Sequence, residues 1–383
     1  RYHPDGTLSE FEPAEEVPKK VRRVFLNDLT RCSTCSSILT PNTAFENSFL
    51  IEVSRGCPHG CRFCSAGFVY RPPRFKPLSL LIKDFECGAR RSKHIGLMGA
   101  AVSDLPCITE LCSLADENDV RVSFSSLRAD ALGAEFIDFL KKSDVKTATI
   151  APDAGSERMR KVINKNITQD DILTATEALV SQGILNLKLY FMVGLPTETV
   201  PDIESIVVLC KKIKRLFLKA SRGRGRIGEI TVSLNSFVPK AATPFQWAPM
   251  DSVNSLKKKI RTVKEGLRRV ANIRVHSDVP RWAYIQGLLS RADRRAASLL
   301  MNAADNRGNW PKTLKESPIN ADFYVLRERG RDEFFPWDFI NHGVTKRFLL
   351  KEYQRALDGK PSPPCPLDIP CTRCGACSSL HSP

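Results

Sequence analysis

The residues with the most chemistry in the smallest space are Cys57, Cys61 and Cys64, set at C-x3-C-x2-C spacing in RGCPHGCRFC. Three thiolates on one tight loop can hold three irons of a cubane iron–sulfur cluster, because such clusters are built on cysteine sulfur. The fourth iron then stays open to a ligand that is not protein. A zinc ion asks instead for four closed ligands, or three plus water with histidine or carboxylate among them. His59 lies inside the triplet as a substitute ligand, so these residues alone leave zinc open beside iron. A second set, Cys365, Cys371, Cys374 and Cys377, falls within thirteen residues near the carboxyl end. Four thiols at that density can close either a zinc site or a second iron–sulfur cluster. Cys32 and Cys35 make one C-x2-C pair, too few to close a metal site without ligands from elsewhere. Cys87, Cys107, Cys112 and Cys210 lie singly in helical stretches and read as small buried hydrophobes.

Such a loop needs a scaffold, and the sequence supplies one. Apolar runs of strand length at Phe49–Val53, His94–Met98, Val120–Phe124, Lys146–Ile150, Leu185–Val193 and Glu229–Leu234 alternate with stretches of helical period. Those stretches are Leu78–Arg91, Cys107–Asn118, Gly133–Ser143, Thr168–Gln182 and Asp202–Lys219, with Ser156 placed to cap a helix that begins at Glu157. The alternation argues for an α/β fold, a partial (β/α)6 TIM-type barrel over residues 48–250. Barrels of this type carry their chemistry at the carboxyl ends of the strands. Residues 1–47 read as an extended arm, or as linker remaining from a domain further upstream. Residues 251–330 read as a helical extension, and 331–383 as a segment ending in the cysteine-rich tail.

Strand, then C-x3-C-x-aromatic-C with Phe63 as the aromatic, resembles the signature of the radical S-adenosylmethionine (SAM) enzymes. That resemblance implies a 4Fe-4S cluster whose open iron is chelated by SAM, and reductive cleavage of SAM to a 5′-deoxyadenosyl radical. It also implies an electron donor such as flavodoxin or ferredoxin. On the matching segments it assigns cofactor contacts to Phe63, to Gly99 and Ala100 in GLMGAAVSD, and to Ser125 and Arg128 in SFSSLRAD. It adds Asp153 in APDAGSER, and Met192 and Gly194 in LKLYFMVGLPTET. Arg128 has a second reading from the residues themselves, as the ion-pair partner of Asp130. By likeness, Phe237 to Trp247 close the barrel wall. The Trp-Asp-x-Ile segment and cysteine-rich end resemble a cobalamin-associated branch of the family, and the Gly-Ser segment at Gly155 resembles the methylthiotransferases. The implied activity is therefore cobalamin-assisted methyl transfer, with cobalamin carried by a domain upstream, or else methylthiolation of RNA or protein.

Composition narrows the partners. The 58 Lys and Arg residues against 42 Asp and Glu give a net charge of +16, a field that favours polyanions. A nucleic-acid-binding zinc protein is therefore the rival class. The run KKIKRLFLKASRGRGR at 211–226 and the following SLKKKIRTVKEGLRRV supply the charge. They read as solvated outer helices, because no aromatic platform for bases accompanies them in sequence. Arg281, Trp282 and Tyr284 are placed either over the barrel mouth or in packing. No apolar run approaches a bilayer span, so no membrane partner is expected. Nine of the thirteen cysteines fall in metal-type clusters and not a disulfide framework, which implies a reducing, cytoplasmic setting.

Overall fold

The computed structural model describes residues 1–124, 127–222, 227–367 and 371–377. Its strands are β1 (Phe49–Glu52), β2 (His94–Met98), β3 (Arg121–Ser123), β4 (Thr147–Asp153), β5 (Asn186–Val193), β6 (Ile230–Ser236) and β7 (Ile273–Ser277). The helices between them are α1 (Leu78–Ala89), α2 (Ile108–Glu117), α3 (Ala134–Lys142), α4 (Glu157–Val162), α5 (Gln169–Ser181), α6 (Val200–Ala220) and α7 (Val253–Leu267). Strands β1 to β3 pair in parallel, as do β4 to β7. A parallel bridge between Leu127 and Ile150 joins the two groups into one arc.

The six strands expected from the sequence are present at nearly those bounds, and the fold is the α/β partial barrel anticipated. One expectation fails: residues 251–330 are not helical throughout. Within them β7 pairs in parallel with β6 from Ile273 to Ser277 and adds a seventh strand to the arc. Its five residues alternate between half-buried and exposed, a period too short to stand out between two long helices. After it come α8 (Pro280–Arg291), α9 (Ala296–Asp305), α10 (Trp310–Glu316), α11 (Ala321–Val325) and, in the C-terminal segment, α12 (Lys346–Leu357). The N-terminal segment is held down on the C-terminal one, where Val21 and Arg22 pair in parallel with Ile340 and Asn341. No helix among the described residues is long and apolar enough to cross a membrane.

Local chemistry sets the element ends. Ser156 accepts a hydrogen bond from the Met159 amide and starts α4. Thr168 with Asp171, and Thr199 with Asp202, close capping boxes at α5 and α6, satisfying amides that a helix start leaves free. Along β5, Leu187, Leu189, Phe191 and Val193 are buried while the residues between them are half-buried, the two-residue period of a strand covered by helices on one side. A second apolar core lies where the C-terminal segment meets the barrel. There Phe245, Trp247, Phe335 and Phe348 are buried, with Trp247 stacked on Tyr353 at 5.9 Å between ring centroids. Burying each such side chain contributes about 1.5–3 kcal/mol. Phe237 and Trp247 are both buried in this second core, with the C-terminal segment as their cover.

Candidate metal and cofactor site

The three-thiol loop leaves the carboxyl end of β1, where Ser54 and Arg55 pair antiparallel with Phe75 and Arg74 and pinch the base of the excursion. Inside it, Arg62 is fully buried. Its guanidinium donates to the carbonyls of Lys161 (3.0 Å) and Val162 (2.9 Å) at the end of α4. It also reaches the Lys360 carbonyl (2.7 Å) and Glu352 of α12 (3.2 Å). Asn164 donates to the Gly60 carbonyl at 3.0 Å and accepts from the Ser362 amide at 2.7 Å. The loop is therefore fixed from the α4 side and from the C-terminal segment at once.

Cys57, Cys61, Cys64 and Phe63 all line one cleft of about 410 Å³ at the carboxyl ends of the strands. Ala100, Arg128, Asp153 and Met192 line the same cleft, so the thiol loop meets four segments distant from it in sequence. Burial pushes the Cys57 thiol up to about 12, with smaller contributions from Cys61, Cys64 and Asp104. Burial likewise pushes Cys61 up to about 11, against the pull of the Lys165 ammonium. Thiols in this state ionise when a metal centre supplies positive charge.

The remaining expected contacts divide. Gly99 is not on the cleft wall; a side chain there would put Cβ 2.6 Å from Ser54 Oγ, so its smallness serves the packing of β2 against β1. Gly194 has φ +84°, and its absent Cβ leaves room for Leu256 of α7; its amide donates to Glu198 at 2.8 Å. Ser125 lies outside the described residues. Arg128 lines the cleft, and its Nε and Nη2 hold Asp130 at 3.0 and 2.7 Å, the ion pair that the residues themselves suggested. Asp153 sits at the end of β4 with φ +62°, a conformation rare outside glycine, and accepts from Lys165 Nζ at 2.6 Å. Burial disfavours the Lys165 charge, but Asp153 and the Cys61 sulfur outweigh it and hold the lysine above its ordinary pKa.

His59 also faces the cleft, with Nε2 hydrogen-bonded to Asp104, so that nitrogen is committed and not free for zinc. Among the described residues no three His, Cys, Asp or Glu side chains close around a point suited to a single metal ion. In the tail, Cys365 and Cys374 are buried, and the charges of Cys374 and Cys377 reach Cys365, whose thiol burial pushes up. Cys32 and Cys35 lie apart, the latter bridged to Ile51 of β1. Arg281, Trp282 and Tyr284 line a separate groove and not the thiol cleft.

Sequence reading missed Lys165, Tyr190 and Gln286, all on the cleft wall. Lys165 had a faint signal: it stands between Asn164 and Asn166, both with positive φ, and a turn flanked by two asparagines aims its middle residue sharply. Tyr190 follows from register, two residues before Met192 on the same face of β5.

The fold is thus a parallel β/α arc that presents three sulfurs at its carboxyl edge. The sequence pattern of the Radical SAM superfamily matches residues 51–210. An uncharacterized protein of Methanocaldococcus jannaschii is 38% identical over 336 residues, 86% of this chain and 69% of that one. The tRNA-2-methylthio-N(6)-dimethylallyladenosine synthase of Bdellovibrio bacteriovorus is 20% identical over 176 residues, 43% of this chain and 39% of its own length. Among solved structures, SuiB of Streptococcus suis bound to S-adenosylmethionine gives a TM-score of 0.42 at 15% identity, covering 60% of this chain and 50% of that one. The methyltransferase TsrM of Kitasatospora setae, with cobalamin and a 4Fe-4S cluster, gives 0.40 at 14%, covering 53% and 41%. The chain thus spans about half the length of these solved structures. It belongs to the radical SAM superfamily.

Proposed function

We propose that Cys57, Cys61 and Cys64 hold a 4Fe-4S cluster, that the cleft beside them takes SAM, and that the reaction is methyl transfer assisted by cobalamin. The observation that carries this reading is the meeting of all three thiols with Ala100, Arg128, Asp153 and Met192 in one cleft. The donor set suits the group, because three soft sulfurs on one braced loop leave one iron of a cubane without a protein ligand. When bound, the cluster supplies the electron that cleaves SAM to methionine and a 5′-deoxyadenosyl radical.

The chain's own residues bind and screen. Arg128 keeps Nη1 free of protein partners among the described residues and offers it to the SAM carboxylate, while Asp130 fixes the guanidinium plane. Asp153 and Lys165 form a paired, nearly neutral contact for the ribose hydroxyls. Tyr190, Met192 and Phe237 form a wall that keeps water from the reacting atoms. The imidazole on the cleft wall, His59, is tied to Asp104 and offers no free Nε2 to a corrinoid, so cobalamin would come as a partner and not through this residue.

A second reading, methylthiolation of RNA or protein, is favoured by the tail: the Cys365 amide donates to the Pro58 carbonyl at 2.7 Å, which brings a second cysteine set beside the loop. Cys365, Cys371, Cys374 and Cys377 would then hold an auxiliary cluster or zinc. Flavodoxin or ferredoxin is the proposed electron source, and a cytoplasmic setting follows from the thiol chemistry. Anaerobic reconstitution with iron and sulfide tests the core of the proposal. A brown protein that forms 5′-deoxyadenosine from SAM and reductant is expected, and a colourless protein with bound zinc and no cleavage sinks it.

A further inference from the structure

Helices α7 and α8 both begin on the mouth side of the barrel, α8 three residues after β7 ends. Between their starts and α10 lies a groove of about 510 Å³, walled by Val253, Val279, Trp282, Ile285, Trp310 and Leu314. Trp282 is 58% exposed and Val279 53%, so the apolar wall faces water. The groove adjoins the cleft: Gln286, one helical turn after Trp282, lines the thiol cleft itself.

The groove also opens onto charge. Counting along α7 from Val253, the residues on the same face are Lys257, Arg261 and Lys264, followed by Arg268 at the helix end. All four are exposed, and none has a carboxylate partner among the described residues; the α7 lysine that does is Lys259, tied to Glu198 and Asp251. Like charges three and four residues apart sit about 5–6 Å from each other and cost the helix a few tenths of a kcal/mol per pair. Only Lys264 and Arg268, at the end of α7, gain from the helix dipole; Lys257 and Arg261 do nothing for helix stability. The aromatic platform that the sequence did not display beside its basic run is here, brought in from α8 and α10.

We propose that the α7 stripe and the Trp282–Trp310 groove form one docking surface for single-stranded RNA. Phosphates would lie along the cations while an unpaired base stacks in the groove, which positions a neighbouring nucleotide toward the cleft. Bases that stand unpaired belong chiefly to RNA loops, and aromatic side chains are the usual platform for them. The surface rests on the proposed function only for what the bound strand is there to undergo; binding needs no cluster.

The test is fluorescence anisotropy of a labelled single-stranded RNA of about 12 nucleotides with the reconstituted full chain over a range of salt. Affinity is expected to fall with salt, and the variant K257Q/R261Q/K264Q to flatten the log–log slope by about 2. W282A is expected to weaken binding about 5-fold or more with the slope unchanged. Both variants keep cluster absorbance and 5′-deoxyadenosine formation, which shows them folded. No binding at low salt, wild-type binding by both variants, equal affinity for duplex DNA, or equal displacement by polyglutamate of matched charge overturns the proposal. If the pattern holds in a chain that cleaves no SAM, the RNA surface stands and the enzymatic reading fails.

Discussion

The two cysteine-rich segments share residue type and density, yet the fold treats them differently. The loop at Cys57–Cys64 is braced from inside by a buried arginine whose charge is met by Glu352 and whose remaining N–H groups reach three backbone carbonyls. The tail from Cys365 to Cys377 is laid on from outside. Its described residues are held by the Cys365 amide on the Pro58 carbonyl at 2.7 Å, by the Thr345 amide on the Cys374 carbonyl at 2.9 Å and by Arg373 on the Pro363 and Pro364 carbonyls. A segment held by a few backbone bonds opens at lower free energy than one whose buried charge is woven into a core. The loop is thus shaped without a metal, and on the proposed reading the tail would depend far more on a bound metal for its order.

Breaking each brace separately tests that contrast. Alanine at Cys57, Cys61 or Cys64 is expected to reduce loop iron and SAM cleavage to background, whereas serine at Cys371 and Cys377 leaves the loop iron in place; iron analysis and electron paramagnetic resonance report both. Arg62→Ala leaves Glu352 buried without its cation, and the cost expected is about 3–5 kcal/mol in urea denaturation. Asp202→Asn is expected to cost about 1–3 kcal/mol, since that carboxylate accepts from Ser156 at 2.7 Å and from the Thr199 amide and hydroxyl as well as from Arg158. Burial opposes the Asp202 charge, but those hydrogen bonds outweigh it and hold the group well below the usual carboxylate range. Its contribution is therefore complete above about pH 4, the ordinary aspartate value, and is lost as pH falls further. Denaturation at a series of pH values should show that acid loss in the wild type and a weaker one in Asp202→Asn. The smallest effect expected is about 1 kcal/mol for Thr345→Ala, which removes the cap of α12 on the tail side.

Much of the barrel was legible because strand and helix periods are local: β5 and α6 announce themselves in a window of a dozen residues. The three thiols were legible for the same reason. What escaped was whatever depends on partners far along the chain. Arg62 reads as one more charge until Glu352 meets it, and Trp282 as packing until α10 supplies Trp310 across the groove. Gly99 and Gly194 show the opposite failing, since their smallness was visible but the neighbours that require it, Ser54 and Leu256, were not.

The Arg62–Glu352 contact spans 290 residues, so its second half leaves the ribosome long after the first. Until the closing helix has been synthesised and docked, the three sulfurs sit on a ribbon lacking half of its clamps. If the loop takes the proposed cluster, metal loading of the finished geometry would be a late event in the life of the polypeptide, and a chain shortened by a premature stop before Glu352 is expected to accumulate without iron even though every thiol of the loop is present.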